Sequence, residues 1–258
     1  MSDSLTLHSL RGVPMIAEGD DLVVVINDAL AVSNLLLQDN DILVLAQKIV
    51  SKAEGRTVDL RSVNPGPEAV ELADATGKDP RVAELILAES TGIIRRSRGV
   101  IITEHRRGWI MANAGIDASN VASADGEENV LLLPEDPDAT CADLRRRLGE
   151  AHGVEIGVII SDSFGRPWRL GTTAVAIGAV GLPSLWDRRG DRDLFDNELM
   201  VTQQAVADEL ANAASLLQGQ AAEGRPVVLI RGLRIGNGNV PNRPAADLIR
   251  DPSEDLFR

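Results

Sequence analysis

The 258-residue sequence predicts an α+β fold of mixed and antiparallel sheets packed with helices. Three observations predict it. Short β-branched runs are bounded by turn formers, longer apolar-periodic segments stand between some of them, and one pair of runs is spaced as a hairpin rather than as a βαβ crossover. No G-x-x-x-x-G-K-[ST] occurs, and GNGN at 236–239 is too short for a dinucleotide fingerprint, so neither a P-loop nor a Rossmann architecture is expected. No internal repeat or low-complexity linker marks a boundary, and 1–258 is read as one unit.

Taken in order, LRGVPMIAEGDDL gives a loop around Pro14, followed by a helix from about Asp21 to Leu37. Ile42 to Ala46 reads as a strand that runs straight into Lys48, Ser51, Lys52 and Arg56, either an anion-binding corner or a solvated edge. Pro67 to Leu87 reads as helical, with Pro80 suited to a first turn. GVIIT and GWIMANAG form the expected hairpin across EHRRG. LLLP, a helix through CADLRRRLGEAHG and the run GVIISDSFG follow, then a long helix from Asn197 to Gln218, the loop GQAAEGRP and the strand RPVVLIRGL.

Charge narrows the function. With 26 Lys and Arg against 39 Asp and Glu the net charge is −13, which argues against a nucleic-acid partner held by a broad basic surface. A small anionic substrate would need local cations or a metal. Cys141 is the sole cysteine, so no internal disulfide forms and a reducing compartment fits. The start of the chain lacks a signal-like basic region, and no apolar run reaches bilayer length; a soluble, cytoplasmic protein with no membrane partner is expected. The three histidines show no zinc spacing, so any metal should be a hard cation such as Mg2+ or Mn2+ on oxygen ligands.

Two segments can supply those oxygens. NAGIDASN crowds Asn113, Asp117, Ser119 and Asn120 together, as a metal or phosphate loop would and as an Asx-rich turn also would. In GVIISDSFG the apolar Val158 to Ile160 read as an interior strand with Asp162 where it emerges, either a turn former or a carboxylate held by a rigid strand. Two carboxylates at a common rim could share divalent ions. Arg166 and Arg169 follow Asp162 and suit a substrate carrying carboxylate or phosphate, which makes Asp117, Asp162, Arg166 and Arg169 the candidate catalytic residues. WDRRGDRDLFDNEL reads as a solvated, self-paired loop.

Together NAGIDASN, SDSFGRPWRLG, QKIVSKAEGR and the run from DLFDNEL to VVLIRGL resemble the coenzyme F420-0:L-glutamate ligase family, the gamma-glutamyl ligases of deazaflavin coenzyme synthesis. The likeness runs from Leu10 to about Leu233 in one motif order, and matches the stand-alone form without a C-terminal flavin-binding domain. It implies a gamma-glutamyl ligase-type fold, a homodimer, and GTP-dependent attachment of L-glutamate to F420-0 through an acyl phosphate, with two Mg2+ or Mn2+ ions and K+ as a candidate further ion. It also implies that Asp117 and Asp162 are metal ligands with Ser163 and Gln220, and that Gln47, Lys52 and Asn120 contact GTP. Val13, Pro14, Met15 and Ile16, with Gln218, Gly219, Gln220, Ala221, Ala222, Glu223, Gly224 and Arg225, would complete the GTP site. A nucleotide- or metal-binding module without turnover, or an amide ligase for another carboxylate, are the alternative readings.

Overall fold

Burial decides where the central strands lie. The computed structural model describes residues 4–121, 128–235 and 240–256, so the GNGN stretch and part of the acidic loop lie outside the described residues. In chain order the elements are β1 (Thr6–Ser9), α1 (Leu22–Val32), β2 (Ile42–Ala46), α2 (Gln47–Ala53), β3 (Thr57–Asp59), α3 (Pro67–Thr76), α4 (Pro80–Ala88), β4 (Ser90–Ser97) and β5 (Val100–His105). There follow β6 (Ile110–Ala112), β7 (Asn129–Leu131), α5 (Pro137–His152), β8 (Gly157–Arg166), β9 (Arg169–Val180), β10 (Trp186–Asp187), β11 (Gln203–Gln204), α6 (Val206–Gln218) and β12 (Val227–Arg231).

The main sheet has the order β1-β12-β2-β8-β9, with β2 and β8 parallel and every other neighbour antiparallel. Its inner strands β2 and β12 and the first half of β8 are nearly continuous apolar runs because both faces are covered there. Leu43, Leu45, Val158, Ile160 and Val227 point to one face with residues of α1, α2 and α5, while Ile42, Val44, Ile159, Val228 and Ile230 point to the other, under α6. Each such buried aliphatic side chain contributes about 1.5–3 kcal/mol. A third core packs α3 and α4 against Ile101 of β5 and Ala114.

β9 is an edge strand, and side chains occupy its outer backbone groups. Asp208 accepts from the Ala176 N–H (2.9 Å), Asp138 accepts from that of Ala179 (2.7 Å), and the Asn212 amide donates to the Ala174 carbonyl (2.8 Å). Such capping deters edge-to-edge pairing.

The α+β expectation holds, and several boundaries move. The first helix ends at Val32, not Leu37, because Ser33 caps it and Asn34 turns to a φ of 54°. The Pro67–Leu87 helix is two helices, broken by Gly77 at φ 69° and restarted by the Asp79 cap ahead of Pro80. The long helix begins only at Val206, after an irregular stretch containing Asp196 at φ 66°. Asp162 does not end its strand: β8 continues to Arg166 and pairs with β9 throughout, Asp162 opposite Val175. What ends there is the sheet, since the last β2–β8 pair is Ala46 with Ser161. From Asp162 outward, β8 and β9 project as a two-stranded arm.

Candidate active site

The carboxyl end of β2 lies beside Ser161 of the parallel strand β8, where the five-stranded sheet gives way to the arm, and in α/β-type sheets ligands gather at the carboxyl ends of the strands. At the end of β2 the chain turns directly into α2. Its inner face carries Gln47 and Ser51, both buried and joined by a Ser51 Oγ–Gln47 Oε1 hydrogen bond of 2.8 Å. Its outer face carries Lys48 and Lys52, one turn apart. Burial, and then the neighbouring Lys48 charge, hold the Lys52 pKa below the ordinary lysine value.

The lysines reach the 113–120 loop. After β6 the backbone passes through Asn113, Ala114 and Gly115 at φ 53°, 52° and 71°, a conformation that suits the glycine and strains the other two. A side chain at Gly115 would also meet Leu133 Cδ1 at 2.6 Å. The loop then anchors Asp117 to Leu131 by two backbone hydrogen bonds, of 3.1 and 2.8 Å. The Asp117 carboxylate accepts from the Ser119 N–H (2.7 Å) and hydroxyl (3.0 Å) and pairs with the Lys48 ammonium at 2.6 Å. Burial alone would raise its pKa, but Lys48 and the Ser119 donors outweigh burial and lower it.

Asp162 faces the same group from β8. Burial pushes its pKa up to about 6; the Asp117 charge adds to the rise, while the Ser163 N–H and Lys48 oppose it. The structure therefore brings together two of the expected metal ligands, one from a strained loop and one from the first residue of the arm. Lys52 Nζ donates to the Asn120 carbonyl at 2.7 Å, and the Asn120 amide donates to the Ala221 carbonyl at 3.1 Å, which draws in the loop after α6. That loop opens at Gly219, φ 75°, where a Cβ would lie 2.2 Å from Glu223. Glu223 folds back to accept from the Ala221 N–H at 2.9 Å. Gln218 is tied to the Val44 and Pro226 carbonyls, and Gln220, Ala222, Gly224 and Arg225 are exposed.

Other expected residues stand farther out. Ser163 follows Asp162 on a regular strand, so its side chain points to the opposite face. Arg166 and Arg169 face each other at the arm tip, four residues and roughly 13 Å beyond Asp162 at about 3.3 Å per residue. The sequence placed them close to that carboxylate; the extended backbone separates them. Ile16 is buried in the core and Val13 packs against it, leaving Pro14 and Met15 exposed on the loop whose Gly19 N–H bonds the Ala53 carbonyl at the end of α2. The direct clasp of Asp117 by Lys48 is the feature the sequence reading missed, although Lys48 and Lys52 at helical spacing after a buried strand were its visible signal.

The donor chemistry fits a hard divalent cation. A cation-like group already sits there: Lys48 Nζ lies 2.6 Å from Asp117 Oδ2, 2.9 Å from the Ser119 carbonyl oxygen and 2.6 Å from Ser119 Oγ, an all-oxygen set. Among the described residues no group of three or more His, Cys, Asp or Glu gathers, so two carboxylates with neutral oxygens suit Mg2+ or Mn2+ better than zinc.

A family model described as F420-0:Gamma-glutamyl ligase matches residues 12–232, which takes in β2, α2, the 113–120 loop, the arm and the loop after α6. The chain belongs to the F420-0:gamma-glutamyl ligase family. Its similarity to named members of this ligase family runs almost end to end. It is 47% identical over 98% of its length to the coenzyme F420:L-glutamate ligase of Methanothermobacter thermautotrophicus, covering 99% of that protein. It is 49% identical over 93% to the ligase of that name from Methanopyrus kandleri, covering 92% of it. Against the Archaeoglobus fulgidus protein of the same name the figures are 39% identity, 96% of this chain and 94% of the relative. Among the described residues no helix is long and apolar enough to cross a membrane.

Proposed function

We propose that this chain joins L-glutamate, through a gamma linkage, to the carboxylate of F420-0 and uses GTP to do so. The observation that carries the reading is the Asp117–Asp162 pair beside the carboxyl end of β2, with Lys48 of α2 clasping Asp117, in a chain whose relatives are named coenzyme F420:L-glutamate ligase. A carboxylate is a poor acyl donor, so the γ-phosphoryl of GTP is transferred to it, and the glutamate amino group then displaces phosphate from the acyl phosphate. GDP and phosphate leave.

Each group of the site has a place in that chemistry. Asp117 and Asp162 hold Mg2+ or Mn2+, which when bound withdraws charge from the phosphate oxygens. Lys52, Asn120 and the loop from Gly219 to Arg225, already linked by hydrogen bonds, line one wall for the nucleotide. Ser163 and Gln220 offer oxygens for a second ion. The arm exposes Trp168 and Leu170, and the loop between β10 and β11 exposes Leu194 and Phe195, the last three between 86% and 99% accessible, and these apolar side chains support a homodimer.

The test is direct. Protein incubated with F420-0, glutamate, GTP and Mg2+ should yield GDP and a product heavier by one or more glutamyl residues, read by mass spectrometry. GDP without glutamylated F420-0 would assign a different acceptor, and neither product would overturn the reading.

A further inference from the structure

Lys48 occupies a cation position beside Asp117. Its ammonium meets three oxygens, Asp117 Oδ2, Ser119 O and Ser119 Oγ, at 2.6, 2.9 and 2.6 Å, and the carboxyl of Asp162 lies within reach of the same charge without forming an ion pair with it. Two carboxylates carry two negative charges, and one ammonium cancels only one of them. Replacing it with a divalent ion would neutralise both. The Lys48 side chain is one-quarter exposed, so an exit to solvent is open, and its four-carbon stem can swing without disturbing α2. Lys52 differs: it bonds only the Asn120 carbonyl in this loop and touches neither carboxylate.

We propose that Lys48 is a resident counter-ion: it fills the cation position beside Asp117 in the metal-free protein, holds the 117–119 turn in shape, and is displaced when Mg2+ or Mn2+ enters. The inference rests on the reading of Asp117 and Asp162 as metal ligands. It makes metal affinity a competition in which the protein's own lysine is the rival, and it sends a freed ammonium toward the anions that accompany the metal.

Mn2+ alone is the probe. Metal-free wild type, Lys48→Met, Lys52→Met and Asp117→Asn are titrated with Mn2+, and the free ion is followed by electron paramagnetic resonance. A charge-assisted contact of about 1.5–3 kcal/mol corresponds to roughly tenfold or more in affinity, so Lys48→Met should bind Mn2+ at least that much more tightly than wild type. Lys52→Met should stay within about threefold, and Asp117→Asn should lose the site. A second measurement needs no variant: amine labelling of wild type, read peptide by peptide, should rise at Lys48 when Mn2+ is added. Asp117-dependent binding that Lys48→Met leaves unchanged or weakens, or labelling at Lys48 that does not rise, would overturn the proposal while leaving the metal site intact. Mn2+ binding that is absent, or indifferent to Asp117→Asn, would remove the underlying site and the proposal with it.

Discussion

At Asp162 the proposed catalytic role and stability pull in opposite directions. Its folded pKa of about 6 lies above the ordinary value of 3.8, so its favourable contribution to stability is present below that lower value and is lost as pH rises through about 6. At neutral pH the metal-free protein carries a carboxylate it would be more stable without. Asp162→Asn should therefore stabilise the metal-free fold at pH 7 by about 1–3 kcal/mol, an advantage that fades by about pH 4. Denaturant unfolding at the two pH values checks this; no gain at pH 7 would mean that Asp162 is better solvated than its position implies. The lysines of α2 allow a second comparison at this scale. Lys52→Ala should lower kcat/KM for GTP roughly tenfold or more. Arg188, stacked 4.4 Å over Trp186 and paired with Asp191 at 2.9 Å in the self-paired loop, should cost less than about threefold on substitution. Steady-state kinetics at matched ionic strength decides it, and equal effects would move the nucleotide to another wall.

At the scale of elements, the β8–β9 arm is the part that a rigid scaffold must hold in place. Gly178 lets β9 pass the start of α5, where a Cβ would lie 2.5 Å from the Pro137 backbone, whereas Gly165 on the arm has nothing within 4 Å. Gly178→Ala should cost about 2 kcal/mol or more and Gly165→Ala less than about 0.5, measured by thermal unfolding. The contrast also shows which elements the residues announce. Buried β-branched runs made β2, β8 and β12 visible, and the 113–120 loop stood out by its oxygen density. β9 was not visible, because GTTAVAIGAV is built of small residues that pack under α6 and give no alternation. β4 was hidden because most of its residues are exposed, so burial wrote no pattern into STGIIRRS. The site was legible as two separate carboxylates. Their meeting at a common rim was expected, but the contacts that make it were not legible, since Lys48 joins Asp117 across 69 residues of chain and the parallel pairing of β2 with β8 sets Asp162 beside the end of β2.

For the whole molecule, a net charge of −13 surrounds a site proposed to handle anions, and that proposal requires lysines and carboxylate-held cations to stand together at one end of the sheet. The exposed apolar side chains of the arm and of the loop between β10 and β11 add a further expectation. Leu170 and Leu194 are 98% and 99% exposed, and Leu170→Asp or Leu194→Asp should convert a dimer to monomer in sedimentation velocity, whereas a wild-type monomer would leave this surface without its proposed partner. The central claim is that Asp117 and Asp162 act together where glutamate is ligated. The measurement that tests it most directly is the rate of glutamylated F420-0 formation by Asp117→Asn and Asp162→Asn at saturating Mg2+ or Mn2+, on protein shown to be folded. Each variant should lose at least about 100-fold in rate relative to wild type, Asp162→Asn doing so while gaining stability without metal; turnover within a few-fold of wild type in either one would contradict the account.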